Sequence, residues 1–173
     1  AISHPVPQAA AAPAGGAAAS DSAVTSAQVV HIGATDWHDG AGWEGDLVDG
    51  AIRARLQPDN RVTRIILPLR RPDGYLRFAH GLRCTLRVHV DQATTCALLL
   101  VCDRADGGDW LGNLQGERLL AAGDQELVLG SDDLRPVAGT GLPMPPGSRI
   151  VGIAVMAWGP AADLRLRDVE LRR

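Results

Sequence analysis

The sequence contains no lysine: all 17 of its basic residues are arginine, and 20 acidic residues bring the formal net charge to −3. A chain with this balance lacks the basic patch that nucleic-acid-binding domains carry. It is also poor in aromatic residues, with four Trp, one Tyr and one Phe among 173 residues. Its longest clear apolar run, CALLLVC, is far shorter than the roughly 18 residues of a membrane-spanning helix. We therefore expect neither a nucleic-acid partner nor a transmembrane segment.

Cysteine is scarce as well, with Cys84, Cys96 and Cys102 the complete set. An odd number is not a disulfide framework, and no CxxC pattern for zinc occurs. If the segment DQATT (91–95) is a loop that joins two paired strands, the register places Cys84 directly opposite Cys102. A cross-strand disulfide then becomes geometrically accessible, provided that the two Cα atoms lie within ~6 Å. The alternative is three small thiols buried in a core.

Residues 1–27 differ in composition from the rest of the chain, because they are mostly Ala, Pro, Gly and Ser. They lack the apolar volume of a core, which indicates a flexible linker or an extended arm. Pro5, Pro7 and Pro13 favour an extended backbone, which suits an arm that lies along a neighbouring protein. We therefore predict an arm or linker over residues 1–27 and one folded domain over residues 28–173.

From residue 28 onward, apolar residues recur with a period of two, which predicts β-strands rather than helices. Segment 82–90 alternates apolar and polar residues, whereas segment 96–102 is apolar on both faces and is therefore predicted to be a central strand. Gly, Pro, Asp and Asn cluster between the apolar segments and mark turns. The sequence thus predicts an all-β antiparallel sandwich of eight to ten strands, of jelly-roll type, with an extended N-terminal arm.

Three local features refine this prediction. The alternation slips by one residue near Arg167 and Asp168, which indicates a β-bulge in the last strand. The segment GNLQGERLLAAGDQ (112–125) has room for one short turn of helix. Trp158 ends an apolar strand and is predicted to lie in the core.

The tryptophans are also the candidate ligand-binding residues. Trp37 and Trp43 lie in the segment TDWHDGAGWEGD (35–46), and Trp110 lies in a predicted loop. Stacking on a sugar ring requires an exposed indole face. The alternative is that Trp37 and Trp43 close the end of the core, with their N–H groups bonded to loop carbonyls.

The order of features resembles that of carbohydrate-binding-module and galactose-binding-like jelly rolls over residues 29–173. The Trp- and Gly-rich opening precedes LRFAHGLRCTLRVHV, CALLLVCDRADGGDWLGNL, PPGSRIVGIAVMAW and a closing LRLRDVELRR. WLGNLQGE followed by LVLGSDDLRP is similar to jelly rolls attached to FecR-like envelope proteins. The resemblance implies a non-catalytic module outside the cytoplasm, in the periplasm or at the cell surface, that binds glycans or other surfaces.

Related jelly rolls often hold a structural calcium through acids near the first strands and one Asp in the last strand. The resemblance therefore implies a calcium site at Asp36, Glu44, Asp46 and Asp168, with loop carbonyls completing the six to eight oxygen ligands. The alternative is a solvated acidic turn. No other cofactor is expected.

These observations leave three functions open. The preferred hypothesis is a non-catalytic assembly subunit that docks on an envelope or membrane-associated complex through its arm and its sandwich surface. The alternative is a carbohydrate-binding module that uses Trp110, or Trp37 and Trp43. A third hypothesis is a glycoside-hydrolase-like enzyme, which a converging pair of buried carboxylates would support.

Overall fold

The computed structural model describes residues 29–37, 42–59, 61–69, 76–139, 143–158 and 163–173. The arm predicted over residues 1–27 lies outside these ranges. The described residues contain no helix that is long and apolar enough to cross a bilayer. The strands are β1 (Val29–Gly33), β2 (Asp46–Val48), β3 (Ala51–Arg53), β4 (Arg55–Leu56), β5 (Val62–Pro68), β6 (Arg83–Val90), β7 (Thr94–Asp103), β8 (Trp110–Leu120), β9 (Gly123–Gly130), β10 (Arg135–Gly139), β11 (Arg149–Trp158) and β12 (Leu164–Arg172). Single 3₁₀ turns occupy Ala34–Asp36 and Ser131–Asp133.

The strands form two six-stranded antiparallel sheets. In the sheet that we call sheet A, the order is β2-β3-β12-β6-β9, and β1 also pairs with β12. In sheet B, the order is β10-β8-β7-β11-β5-β4. This arrangement confirms the predicted antiparallel β-sandwich.

The core lies between the two sheets and is formed by alternate residues of each strand, because successive side chains of a strand point to opposite faces. From sheet A, β6 contributes Leu86 and Val88, and from sheet B, β7 contributes Leu98 and Leu100, all at most 1% exposed. Each such side chain stabilises the fold by about 1.5–3 kcal/mol relative to an exposed position.

Three details of the strand prediction can be compared directly with the structure: the bulge, the helical turn and the number of strands. The predicted bulge is confirmed, because the register of β12 against β6 shifts between Leu166 and Asp168. The predicted helical turn over 112–125 is wrong, since this segment lies in β8 and β9. The described residues contain twelve strands rather than eight to ten, and three of them, β2, β3 and β4, are only two or three residues long.

The expected hairpin between segments 82–90 and 96–102 is also wrong. β6 pairs with β9 and β12 in sheet A, whereas β7 pairs with β8 and β11 in sheet B. The short connection therefore crosses from one sheet to the other, and Cys84 does not lie opposite Cys102 on a paired strand. Cys84, Cys96 and Cys102 are free thiols, each buried in the core.

Because the thiols are buried, we expect them to be inert in the folded protein. Burial raises the pKa of Cys84 and Cys96 to about 12, and burial together with the nearby Asp103 does the same for Cys102. The reactive thiolate is thus scarce at pH 8. A thiol-reactive chromogenic disulfide should label almost no cysteine in the native protein and three cysteines in denaturant without a reductant. A total of one in denaturant would instead indicate a disulfide.

The outer face of sheet A carries ion pairs between neighbouring strands. At one end, Arg53 and Arg165 both contact Asp163, at 3.0 and 2.9 Å. Burial opposes the ionisation of Asp163, but the two guanidinium groups outweigh it and hold the pKa of this carboxyl below its usual value of 3.8. A carboxyl whose pKa is depressed on folding stabilises the protein above its unfolded pKa. That stabilisation is lost as the pH falls below 3.8.

We therefore predict that, in the Asp163→Asn variant, the free energy of unfolding decreases less steeply as the pH is lowered into the acid range. The variant should lose about 0.5–1 kcal/mol of unfolding free energy at neutral pH, since both arginines are partly exposed. The difference from the original protein should shrink as the pH falls through 3.8, as measured by urea unfolding at several pH values. Asp132→Asn is the matched control, because the Asp132 carboxylate makes no hydrogen bond or ion pair with the described residues. A deficit that does not depend on pH would contradict this account.

Candidate functional site

The outer face of sheet B, which points away from the core, carries apolar side chains along its centre. Cross-strand register places Leu99 of β7 beside Ala154 of β11, and Ala154 beside Ile66 of β5. Partners of this kind share one face of a sheet. We call this surface the apolar face; its floor is formed by Ala97, Leu99, Val101, Ala154, Met156 and Ile66. None of these six side chains belongs to the contiguous core cluster, although Ala97 and Ala154 are only 0% and 6% exposed.

Polar side chains border the apolar face on both long sides. On β8, Asn113, Gln115 and Glu117 lie in register with Val101, Leu99 and Ala97 of the floor. On the other side, Glu44 pairs across the backbone with Ile66. The floor is therefore bounded by hydrogen-bonding groups, as in a groove that holds a ligand with both apolar and polar parts.

A preformed polar cluster lies on the Glu44 side of the apolar face. The Glu44 carboxylate accepts hydrogen bonds from Arg64 Nε at 2.8 Å and from Gln57 Nε2 at 2.6 Å. The Glu44 side chain is only 18% exposed. Its two partners fix the orientation of the carboxylate and offset the cost of burying it.

Two exposed tryptophans lie at the two ends of the face. Trp110 is 50% exposed and Trp158 is 42% exposed. Trp110 pairs with Asp103 at one end of β7, whereas Ala157, next to Trp158, pairs with Cys96 at the other end. Along β7 this separation is roughly 25 Å, since a strand rises about 3.3 Å per residue.

Local hydrogen bonds hold the indole of Trp110 and the backbone of Trp158. Trp110 Nε1 donates a hydrogen bond to Asn113 Oδ1 at 3.0 Å, which fixes the ring relative to the polar border. Trp158 is anchored through its backbone, because its carbonyl oxygen accepts a hydrogen bond from the Thr94 hydroxyl at 3.1 Å. An indole ring that is already fixed loses little conformational entropy when a ligand binds to it.

The structure separates the tryptophans that the sequence suggested. Trp110 is exposed, as expected for a ligand-binding residue. Trp37 and Trp43 are half-buried and pack against the core, as in the alternative for them. Trp37 Nε1 is buried and has no hydrogen-bond partner among the described residues. Trp158, predicted to lie in the core, is instead exposed at the end of the apolar face.

The four carboxylates expected to bind calcium are engaged separately. Asp36 accepts the N–H of Gly33 at 2.8 Å. Asp46 accepts Arg55 Nη2 at 2.8 Å, and Asp168 accepts Arg87 Nη1 at 2.7 Å. Glu44 contacts Arg64 and Gln57, as described above.

Calcium binding at these four carboxylates stays a prediction. Within the described ranges, no group of three or more His, Cys, Asp or Glu side chains lies close enough to hold a metal ion. Arginine, moreover, is a competitor for these carboxylates and not a metal ligand.

Comparisons with known proteins add evidence on the fold. No protein-family model matches the chain, and no curated protein sequence matches it. Among solved structures, the chain is similar to a family 11 carbohydrate-binding module of a cellulosomal cellulase of Clostridium thermocellum, with a TM-score of 0.50, 10% identity, and coverage of 84% of this chain and 82% of that one.

Two further structures have lower scores. A family 11 module of Clostridium thermocellum in complex with a β-1,3-1,4-mixed-linked tetrasaccharide has a TM-score of 0.49 at 10% identity, covering 84% of this chain and 83% of that one. A structure titled TmCBM61 in complex with β-1,4-galactotriose has a TM-score of 0.38 at 14% identity, covering 86% and 90%. The likeness to the first structure, at a TM-score of 0.50 and 10% identity, shows the jelly-roll β-sandwich fold alone.

Proposed function

We propose that this protein is a non-catalytic carbohydrate-binding module and that its ligand lies across the apolar face of sheet B. The observation that carries the proposal is the apolar floor, bordered by polar side chains and ended by Trp110 and Trp158. The ring C–H groups of an extended glycan form apolar surfaces, and its hydroxyls lie at the ring edges. The floor and its polar borders complement both parts.

The charges bordering the face favour an uncharged glycan. Glu117 contributes negative charge, whereas Glu44 and Arg64 neutralise each other. Among the described residues, a polymer of uronic acids would meet no unpaired cation on the floor itself, and beyond the border the nearest cation in register is Arg135, beside Gln115. The length of the face, roughly 25 Å between its tryptophans, suits several consecutive sugar residues rather than a single ring.

The other two functions have less support. The assembly hypothesis depends on the arm over residues 1–27, which lies outside the described residues, so it stays a prediction, as does a location outside the cytoplasm. For the hydrolase hypothesis, no Asp or Glu side chain is buried in the part of the chain that the structure describes. The converging pair of buried carboxylates that would favour it is therefore not found there.

A panel of soluble polysaccharides tests the proposal. The full chain would be run in native gels that contain mixed-linked β-glucan, galactan, xylan, mannan or a polyuronate. We expect one or more of the neutral polymers to retard the protein and the polyuronate to leave its migration unchanged. Migration that no polysaccharide alters would contradict the proposal.

A further inference from the structure

A cavity lies at the edge of the sandwich, beside β10. It has a volume of about 630 Å³ and lies where the chain crosses from β9 in sheet A to β10 in sheet B. The 3₁₀ turn Ser131–Asp133 makes this crossing. We call this cavity the flank pocket. Its volume falls within the range of small-molecule sites.

The floor of the flank pocket is apolar. Phe78, Leu114, Leu134 and Met144 line it, and each is between 2% and 8% exposed. These side chains also belong to the main core. The floor is therefore as rigid as the core itself and offers an apolar surface at a fixed depth.

The rim of the flank pocket carries polar groups with hydrogen-bonding capacity to spare. The Asp132 carboxylate and the His80 ring make no hydrogen bond or ion pair with any described residue. The guanidinium of Arg135 uses Nη1 to contact the carbonyls of Asp132 and Leu134. Its Nε and Nη2 are left without a hydrogen bond inside the described ranges.

Backbone hydrogen bonds hold this rim in place. Gly81 N–H donates to the Ser131 hydroxyl at 3.1 Å, and Ser131 N–H donates to Leu82 O at 2.8 Å. The His80 ring meets the Phe78 ring edge-on, with centroids 6.4 Å apart. The backbone of the rim and the His80 ring are thus held in place before any ligand arrives, which lowers the entropic cost of binding.

The chemistry of these groups selects one class of occupant. A carboxylate, a guanidinium and an imidazole together accept and donate hydrogen bonds, and the charges of Asp132 and Arg135 cancel. A phosphate would meet the carboxylate, and a purely apolar ligand would leave the rim unsatisfied. A hydroxylated ring with an apolar C–H face satisfies both the rim and the floor.

We propose that the flank pocket binds a single neutral sugar ring, such as the terminal residue of a glycan chain. Asp132 accepts two neighbouring hydroxyls, Arg135 and His80 bind the remaining ring oxygens, and the C–H face packs on Phe78 and Met144. This site goes beyond the proposed binding face, because none of the residues that line it belongs to the apolar floor or to its polar borders.

Saturation-transfer NMR with methyl glycosides of glucose, galactose and mannose tests the flank pocket in the full chain. We expect signal transfer to one or more of these glycosides, and we expect Asp132→Ala to weaken binding about tenfold, since a hydrogen bond to a charged group is lost. Asp132 is exposed, so this variant should fold normally, which its thermal unfolding would verify.

Trp158→Ala is the matched control, because it alters the apolar face and leaves the flank pocket intact. We expect it to bind the methyl glycosides as the original protein does, even if it no longer binds a polysaccharide. Polysaccharide binding thus tests the proposed function, and methyl glycoside binding tests the flank pocket, so the failure of either proposal can be distinguished from the failure of the other. Three outcomes would overturn the flank pocket: no glycoside binds, Asp132→Ala binds unchanged, or Trp158→Ala abolishes binding.

Discussion

Replacing Trp110 or Trp158 by alanine is expected to weaken polysaccharide binding by roughly 30-fold each, which corresponds to about 2 kcal/mol for loss of an aromatic anchor. Each change removes an exposed indole at one end of the apolar face while leaving the floor intact. Because the side chains are about half exposed, neither variant should unfold more easily by a large margin. Isothermal titration with the polysaccharide that retards the protein most strongly would measure both effects.

The matched control for these variants is Arg172→Ala. Arg172 lies on the outer face of sheet A, where its side chain is 58% exposed and forms an ion pair with Glu170. The Arg172→Ala substitution removes a comparably large exposed side chain from the opposite sheet, so polysaccharide binding should not change. If Arg172→Ala weakened binding as much as Trp158→Ala, the ligand would lie on sheet A instead.

The second large effect concerns two neighbouring residues of β7 that point to opposite sides of sheet B. Leu100 is fully buried in the core, whereas Leu99 lies on the apolar face. Leu100→Ala should lower the free energy of unfolding by about 2–5 kcal/mol, because it leaves a cavity between the sheets. Leu99→Ala should cost about 1 kcal/mol or less, yet it should weaken polysaccharide binding by removing part of the floor.

Urea unfolding and titration calorimetry on both variants would separate stability from binding. The Leu100→Ala protein that remains folded should bind with unchanged affinity, since its floor is unaltered. Equal losses of affinity in the two variants would mean that the ligand does not bind the side of sheet B on which Leu99 lies.

Local pattern was sufficient to predict much of the fold. The period-two alternation in segment 82–90 gave β6 and its buried face, and the slip near Arg167 gave the bulge in β12. These features depend only on neighbours along the chain, and side-chain alternation is a local property of an extended backbone.

Strand pairing was not predictable in the same way. The hairpin expected between β6 and β7 requires the two strands to be neighbours in one sheet, and a short loop favours that arrangement. The same loop also permits a crossing between sheets, after which the apolar faces of β6 and β7 meet across the core. Which arrangement forms depends on β9, β11 and β12, which are distant in sequence.

The site was only half predictable for a related reason. Trp110 was selected correctly as an exposed candidate, but Trp158 was assigned to the core from the apolar strand that it ends. A signal was present, because Ile153, Val155 and Ala157 alternate and place residue 158 on the opposite face. Strand β11 is apolar on both sides, so its outward face is distinguishable only once the second sheet is located.

The most direct test of the central claim is a map of backbone amide shifts on adding an oligosaccharide of the polymer that binds best. The account predicts that the largest shifts follow β7, β8 and β11 and reach both Trp110 and Trp158. Shifts confined to the strands of sheet A, with those of sheet B unmoved, would contradict it.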